Sequence, residues 1–248
     1  MGEFAESDVT QTGVTDHGRQ PPTSAALALS SRVAWPAVAE LTLVVLIHVA
    51  HCLNFVPFSK IPFLLVVGWI SVRLRGRRWR DVGLQWDRRR WATTLLLGIV
   101  AGACLEAFQL FVSTPALAGL TGKQPDLAQY QILVGNAKLA LVGIALAWVL
   151  AAFGEELVYR GYLMNRVAEL GRNTRGAWLV SLLLISALFG FGHCHQGLTG
   201  VLEEGFAGLL LGFLYFATGR NLSVPIVAHG VEDTIDVVLL YFGCFPGM

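Results

Sequence analysis

The stretch KLALVGIALAWVLAAFGEELVYRG, residues 138–161, sets an apolar run directly against a cluster of charge. No side chain from Leu139 to Gly154 ionises, and then Glu155, Glu156 and Arg160 follow within six positions. A bilayer span takes about 20 mostly apolar residues, so the first part reads as a membrane helix over 137–153. Runs of the same kind recur on either side, at 34–56, 60–74 (short), 92–114, 177–192, 201–218 and 222–243. The composition agrees: 54% of the 248 residues are hydrophobic, 14% are charged, and the mean hydropathy is +0.59. A soluble domain carries about 25% charged residues. Backbone facing lipid must satisfy its own hydrogen bonds, which leaves helices or closed barrels, and the runs are too continuous for the alternating pattern of a barrel strand. The fold class expected is therefore all-α, a polytopic transmembrane bundle of about seven or eight helices.

Charge sets the orientation. RLRGRRWRDVGLQWDRRR, residues 73–90, holds eight arginines against two aspartates. A basic loop between two spans is cytoplasmic by the positive-inside rule, and this short connection is a topology signal rather than a nucleic-acid patch. The N terminus then starts in the cytoplasm and the Arg-free 115–136 connection lies outside. The turns around Gly171–Arg175 and Gly219–Arg220 return inside. Residues 1–33 are polar and read as a disordered cytoplasmic tail before a membrane domain over 34–248. No basic segment precedes an apolar core there, so no secretory signal is expected. Glu6 stands where a myristoylation motif needs Ser or Thr. The cysteines, Cys52, Cys104, Cys194 and Cys244, form no CxxC pair. Three of them sit in or beside apolar runs, where Cys acts as a small hydrophobe, so no disulfide framework is expected.

An ionisable group at the centre of a span costs about 2.5–3.5 kcal/mol on insertion scales, so such residues carry a functional hypothesis by default. The group to weigh is Glu155, Glu156, Arg160, His193, His195, Glu203, Glu204, His229, Glu232, Asp233 and Asp236. Glu156 and Arg160 are four apart, share a helix face and neutralise each other in the favourable order. Glu155 is turned about 100° away and has no basic partner on its own helix. The plain alternative is a charge pair at the cytoplasmic boundary. A hairpin turning near residue 173 puts Glu155 and His193 about 27 and 30 Å from the turn, at nearly one level. Gly190 and Gly192 would let the two helices approach. In VPIVAHGVEDTID, His229 and Asp233 are also four apart. They could equally be a pair that ties two helices together, and spacing alone leaves the depth of His229 open. An acid and two imidazoles facing one another would make an intramembrane polar cavity.

Three stretches taken in order, Glu155-Glu156…Arg160, Phe189…His193 and His229…Asp233, resemble the CAAX protease and bacteriocin-processing (CPBP, or Abi) intramembrane proteases, related to the type II CAAX prenyl endopeptidases. The glycine-rich GFAGLLLGFLYFATGRNLSVPIVAHG, residues 205–230, is similar as well. The resemblance covers about 70–243. The prenyl endopeptidases usually carry Asn at the last motif position, and Asp233 is more similar to the broader bacterial family. The resemblance implies an endopeptidase in a bacterial inner membrane acting on a membrane-anchored or prenylated peptide. Glu155 and His193 would activate water, and Glu156 and Arg160 would hold the frame. His229 and Asp233 would orient the scissile carbonyl or stabilise the oxyanion. An ionised Asp donates no hydrogen bond, so Asp233 is expected to fix the tautomer of His229. Glu155, His193 and His229 also have the donor types of a catalytic zinc site, which leaves zinc or another divalent metal open.

HExxH, GxSxG and Walker A motifs are missing, which argues against zincin, serine-hydrolase and P-loop chemistry. Glu203 and Glu204 are expected to cap the span that begins near 201. His48 and His51 share a face with no carboxylate nearby and read as packing or lumen-lining groups. Gly98/Gly102 and Gly208/Gly212 read as helix contacts. Two other readings stay open. One is a proton- or ion-coupled transporter, although no internal repeat is visible. The other is a catalytically inactive scaffold. Neither nucleic acid nor a soluble partner is implied.

Overall fold

A computed structural model describes residues 24–246 and the side chains from Pro36 onward. The expected tail over 1–33 falls mainly outside them. The chain is helical, with no strand among the described residues. Its helices are α1 (Ser24–Cys52), α2 (Ile61–Leu74), α3 (Trp91–Thr121), α4 (Ala137–Leu170), α5 (Arg175–Phe191), α6 (Gly197–Ala217) and α7 (Ser223–Tyr241). Three of the starts have a local cause. Pro62 sits in the first turn of α2, where its missing N–H is harmless. The side chains of Asn136 and Thr174 accept from Leu139 N and Ala177 N at the starts of α4 and α5.

Trp91–Thr121, Ala137–Leu170 and Cys194–Ala217 are long and apolar enough to cross a membrane, and Pro36–Cys52, Ile61–Leu74 and Arg175–Phe191 are shorter apolar helices. Leu96 and Ile99 on α3, Leu141 and Val149 on α4, and Leu183 on α5 are between 48% and 69% exposed. Apolar surface of that extent would be a liability in water and is what a lipid-facing wall requires.

Two boundaries depart from the hydropathy reading in a way that matters. α3 continues to Thr121, into the 115–136 connection. α4 does not end near 153 but runs on to Leu170. GEELVYRG is therefore mid-helix. Glu155 lies about 27 Å from the start of α4 and about 22 Å from its end. The polar groups do not stop the helix because they are paired inside the bundle: Glu155, Glu156 and Arg160 are 5%, 0% and 1% exposed. From Ala147 to Met164 the backbone adopts the wider i→i+5 turn. Such a turn rotates each residue by less than an α-helix does, and adjacent Glu155 and Glu156 both face inward.

Small residues bring the helices together. A Cβ on Gly98 would meet Val227 at 2.4 Å, and one on Gly102 would meet the Ala228 carbonyl oxygen at 2.3 Å, so α3 lies directly on α7. Gly208 and Gly212 face Phe189 and Leu182 of α5. The approach expected between α4 and α5 at Gly190 and Gly192 is made elsewhere. Gly190 backs onto Val201 and Gly205 of α6, and Gly192 faces the Lys60 side chain.

The arginine-rich connection folds against the bundle. Leu222 N donates to Gly83 O at 2.8 Å and Ser223 Oγ to Gln85 O at 2.5 Å. Gly83 has φ +111°, and a Cβ there would stand 2.6 Å from Arg220 O. The α6–α7 turn thus sits beside Val82 and Gly161, well above the end of α4. That places His229 at the level of Glu156, which spacing left open. At the opposite end Cys52 and Cys194 form a disulfide, against the expectation of none. They are 142 residues apart in sequence, and only the folded bundle brings the end of α1 onto the end of α5.

Candidate active site

Glu156 anchors the site from behind. Its Oε1 accepts from Arg160 Nη1 at 2.7 Å and from His229 Nδ1 at 3.0 Å. Arg160 also donates through Nη2 to the Gly208 carbonyl at 2.8 Å and stacks over the Phe189 ring at 4.7 Å. Two helices are joined to α4 by one guanidinium and one carboxylate. A buried pair of this kind is costly to break, because the abandoned partner stays charged.

Phe189 is the hub. The rings of His193 and His229 stand 5.1 and 6.0 Å from it, and the ring of Tyr159 4.9 Å. His193 Nδ1 lies 3.0 Å from the Phe189 carbonyl oxygen. A carbonyl only accepts, so Nδ1 carries the proton and the neutral ring presents a bare Nε2. His229 directs Nδ1 to Glu156, while its Nε2 lies 3.7 Å from Asp233 Oδ1, beyond hydrogen-bond reach. The group in contact with the His229 ring is thus Glu156 rather than Asp233, because Asp233 points along α7 while Glu156 comes in from α4.

Glu155 finds its counter-charge on another helix. Lys60, at the entrance to α2, is 4% exposed; its Nζ is 3.6 Å from Glu155 Oε1 and donates to Gly192 O at 3.1 Å. Lys60 therefore ties the carboxylate to the peptide that leads into His193. Pattern reading does not single it out, because a Lys at the edge of an apolar run looks like an interfacial anchor.

Glu155, Phe189, His193, His229 and Asp233 line one cavity of about 560 Å3. Glu156 and Arg160 stand behind its wall. Glu203 and Glu204 line it too. They do not cap α6, which begins earlier, at Gly197; Glu203 accepts from Thr114 Oγ1 and Glu204 from Gln196 Nε2 at 3.4 Å. Glu232 and Asp236 also face it, as does Glu106 of α3, a carboxylate that a lone charge within the 92–114 run could have flagged. His195 lies outside the cavity, against His51, with ring centroids 5.1 Å apart. His48 is fully buried, donates through Nδ1 to Val44 O at 2.8 Å and accepts the Tyr159 hydroxyl at 2.8 Å.

The donor set does not fit a metal ion. No group of three or more His, Cys, Asp or Glu among the described residues could hold one. His229 and His193 each direct Nδ1 to a protein acceptor and keep Nε2 for another contact, but no third donor converges with them among the described residues. The metalloprotease reading therefore has no ligand set here.

Buried acids and imidazoles line a cavity among apolar helices, three of which are long and apolar enough to cross a membrane. Residues 137–235 match the family described as type II CAAX prenyl endopeptidase Rce1-like, and that stretch contains the Glu155–Arg160, Phe189–His193 and His229–Asp233 motifs. Over this stretch the chain is similar to the CAAX protease family. It is an integral membrane protein, and its activity class is peptide-bond hydrolysis. No curated protein and no solved structure matches the chain.

Proposed function

We propose that the chain is an intramembrane endopeptidase, in a bacterial inner membrane with its N terminus in the cytoplasm, that cleaves membrane-anchored peptides with water activated by Glu155 and His193. The observation that carries this reading is the shared cavity, into which α4 supplies an acid and the turn after α5 and the first half of α7 supply two imidazoles. A water between Glu155 and the bare Nε2 of His193 gives its proton to the carboxylate and attacks the scissile carbonyl. His229, when it carries both ring protons, donates from Nε2 to the oxyanion, with Asp233 as counter-charge. Glu155 then returns its proton to the leaving amine and the C–N bond breaks.

The test uses the purified full chain in proteoliposomes with peptides anchored by an apolar helix or by a prenylated cysteine, and products are read by mass spectrometry. Glu155→Gln is expected to lower the rate by about 10²–10⁴-fold while the protein remains folded and helical in detergent. Cleavage by Glu155→Gln at the wild-type rate would overturn the assignment. No cleavage of any peptide by the wild type would favour the inactive-scaffold reading.

A further inference from the structure

The proposed chemistry uses Glu155 and the two histidines and leaves the rest of the cavity wall unexplained. That wall is acidic. Glu106, Glu203, Glu204, Glu232, Asp233 and Asp236 all line the cavity, and no Lys or Arg among the described residues does. The nearby cations are engaged elsewhere, Lys60 with Glu155 and Gly192, and Arg160 with Glu156 and Gly208. Some of the acids already have partners: Gln109 donates to Glu232 Oε1, Thr114 to Glu203 Oε1, and Glu106 and Asp236 share one hydrogen bond between them.

A second observation points to a ligand. Glu232 is 6% exposed, yet its Oε2 is buried without a hydrogen-bond partner, and so is Asp233 Oδ2. Buried acceptors left open in a low-dielectric site call for a donor. A bare metal ion is the wrong size for them, since no three of these groups converge on one point. A guanidinium or ammonium, whose several N–H donors spread over a few ångströms, suits oxygens distributed on α3, α6 and α7.

We propose that this wall is a subsite for a cationic side chain, Lys or Arg, of the peptide substrate. His229, Glu232, Asp233 and Asp236 follow at i, i+3, i+4 and i+7 along α7, so the acids extend about 10 Å beyond His229. An extended peptide covers about 3.3 Å per residue, which places the basic residue within about three positions of the scissile bond. The assignment rests on the endopeptidase reading for the word substrate, and the experiment separates the two.

Two measurements use the full chain in proteoliposomes. The first compares cleavage of anchored peptides that carry Lys, Arg, Gln or Glu at each position flanking the cut. Wild type is expected to prefer Lys or Arg over Gln by about tenfold or more in kcat/KM at one position. Glu232→Gln and Asp236→Asn are expected to reduce that preference to within about twofold while still cleaving the Gln peptide. The second measures binding of N-dodecanoyl-arginine amide against N-dodecanoyl-citrulline amide, which has the same shape without the charge. The arginine compound is expected to bind more tightly to wild type and equally to Asp236→Asn. Cleavage without charge preference, or a preference unchanged in both variants, overturns the subsite and leaves the hydrolase standing. Charge-selective binding that Asp236→Asn abolishes, with no cleavage of any peptide, upholds the cation site and overturns the hydrolase.

Discussion

At the residue scale, two adjacent carboxylates have different roles because their partners differ. Glu156 is fully buried and accepts from both Arg160 and His229. Glu156→Ala leaves a guanidinium buried and unpaired, a loss of about 3–5 kcal/mol, and is expected to lower the melting temperature sharply. Glu155 lines the cavity, with Lys60 at 3.6 Å; Glu155→Gln keeps an amide oxygen beside that ammonium and is expected to lose less stability than Glu156→Ala while its activity falls. Equal melting temperatures for the two variants would contradict that division. Lys60 makes a sharper case. Lys60→Met keeps most of the apolar stem but removes the charge beside Glu155 and the donor to Gly192 O. A fall in kcat of about 10–100-fold is expected, the magnitude of a lost contact that positions a reacting group, with partial recovery in Lys60→Arg. An unchanged kcat in Lys60→Met would show that the contact has no bearing on the chemistry. The Glu156–Arg160 pair was legible because partners four apart meet on any helix. Lys60 was not legible, since its partner comes from another helix and sequence spacing holds no record of that.

At the element scale, the depth of the site depends on where helices end, and hydropathy misplaces those ends. The polar cluster after Phe153 reads as a helix terminus, although α4 continues to Leu170 because Arg160, Glu156 and Glu155 are neutralised from within the bundle. Spacing alone left Glu155 between two readings, the cytoplasmic boundary and the level of His193, and left the depth of His229 open. The glycine pairs were readable as contacts, but their consequence for the site was not. Gly102 lies against the carbonyl of Ala228, the residue before His229. Gly102→Leu must push α3 and α7 apart and carry the His229 ring away from Glu156, now at 3.0 Å. The expected result is a variant that still inserts and remains helical by circular dichroism, with a loss of activity close to that of His229→Ala. Gly119, around which a Cβ would meet nothing within 4 Å, is on the same helix, and Gly119→Leu serves as the control that keeps activity. If the two glycine variants behave alike, the α3–α7 contact does not set the site.

At the scale of the whole molecule, two unrelated features bear on which side of the membrane each end faces. Arg75, Arg77 and Arg166 gather on Glu169 near the end of α4, with Arg166 also paired to Glu40 of α1. Basic segments stay in the cytoplasm. The Cys52–Cys194 disulfide joins the far end of α1 to the turn that follows α5, beside His193. Disulfides persist in oxidising compartments, so we propose that this end faces outside, the orientation that the charge rule also favours. The pairing could not be read from four cysteines without CxxC spacing, since sequence alone does not fix connectivity. In intact cells of a strain that carries the Cys104→Ser and Cys244→Ser changes, an impermeant maleimide is expected to label Cys52 and Cys194 only after treatment with an impermeant reductant. A cysteine placed at exposed Arg88 is expected to react only after the cells are permeabilised. The same reductant removes a clip that closes a 142-residue separation, and clips of that span contribute about 2–5 kcal/mol. The purified protein should therefore melt several degrees lower once reduced, and its activity should fall because the turn that carries His193 loses its tie to α1. Labelling of Arg88→Cys from outside would invert the topology. A reduced protein that melts unchanged would show that the bundle holds the His193 turn without the clip.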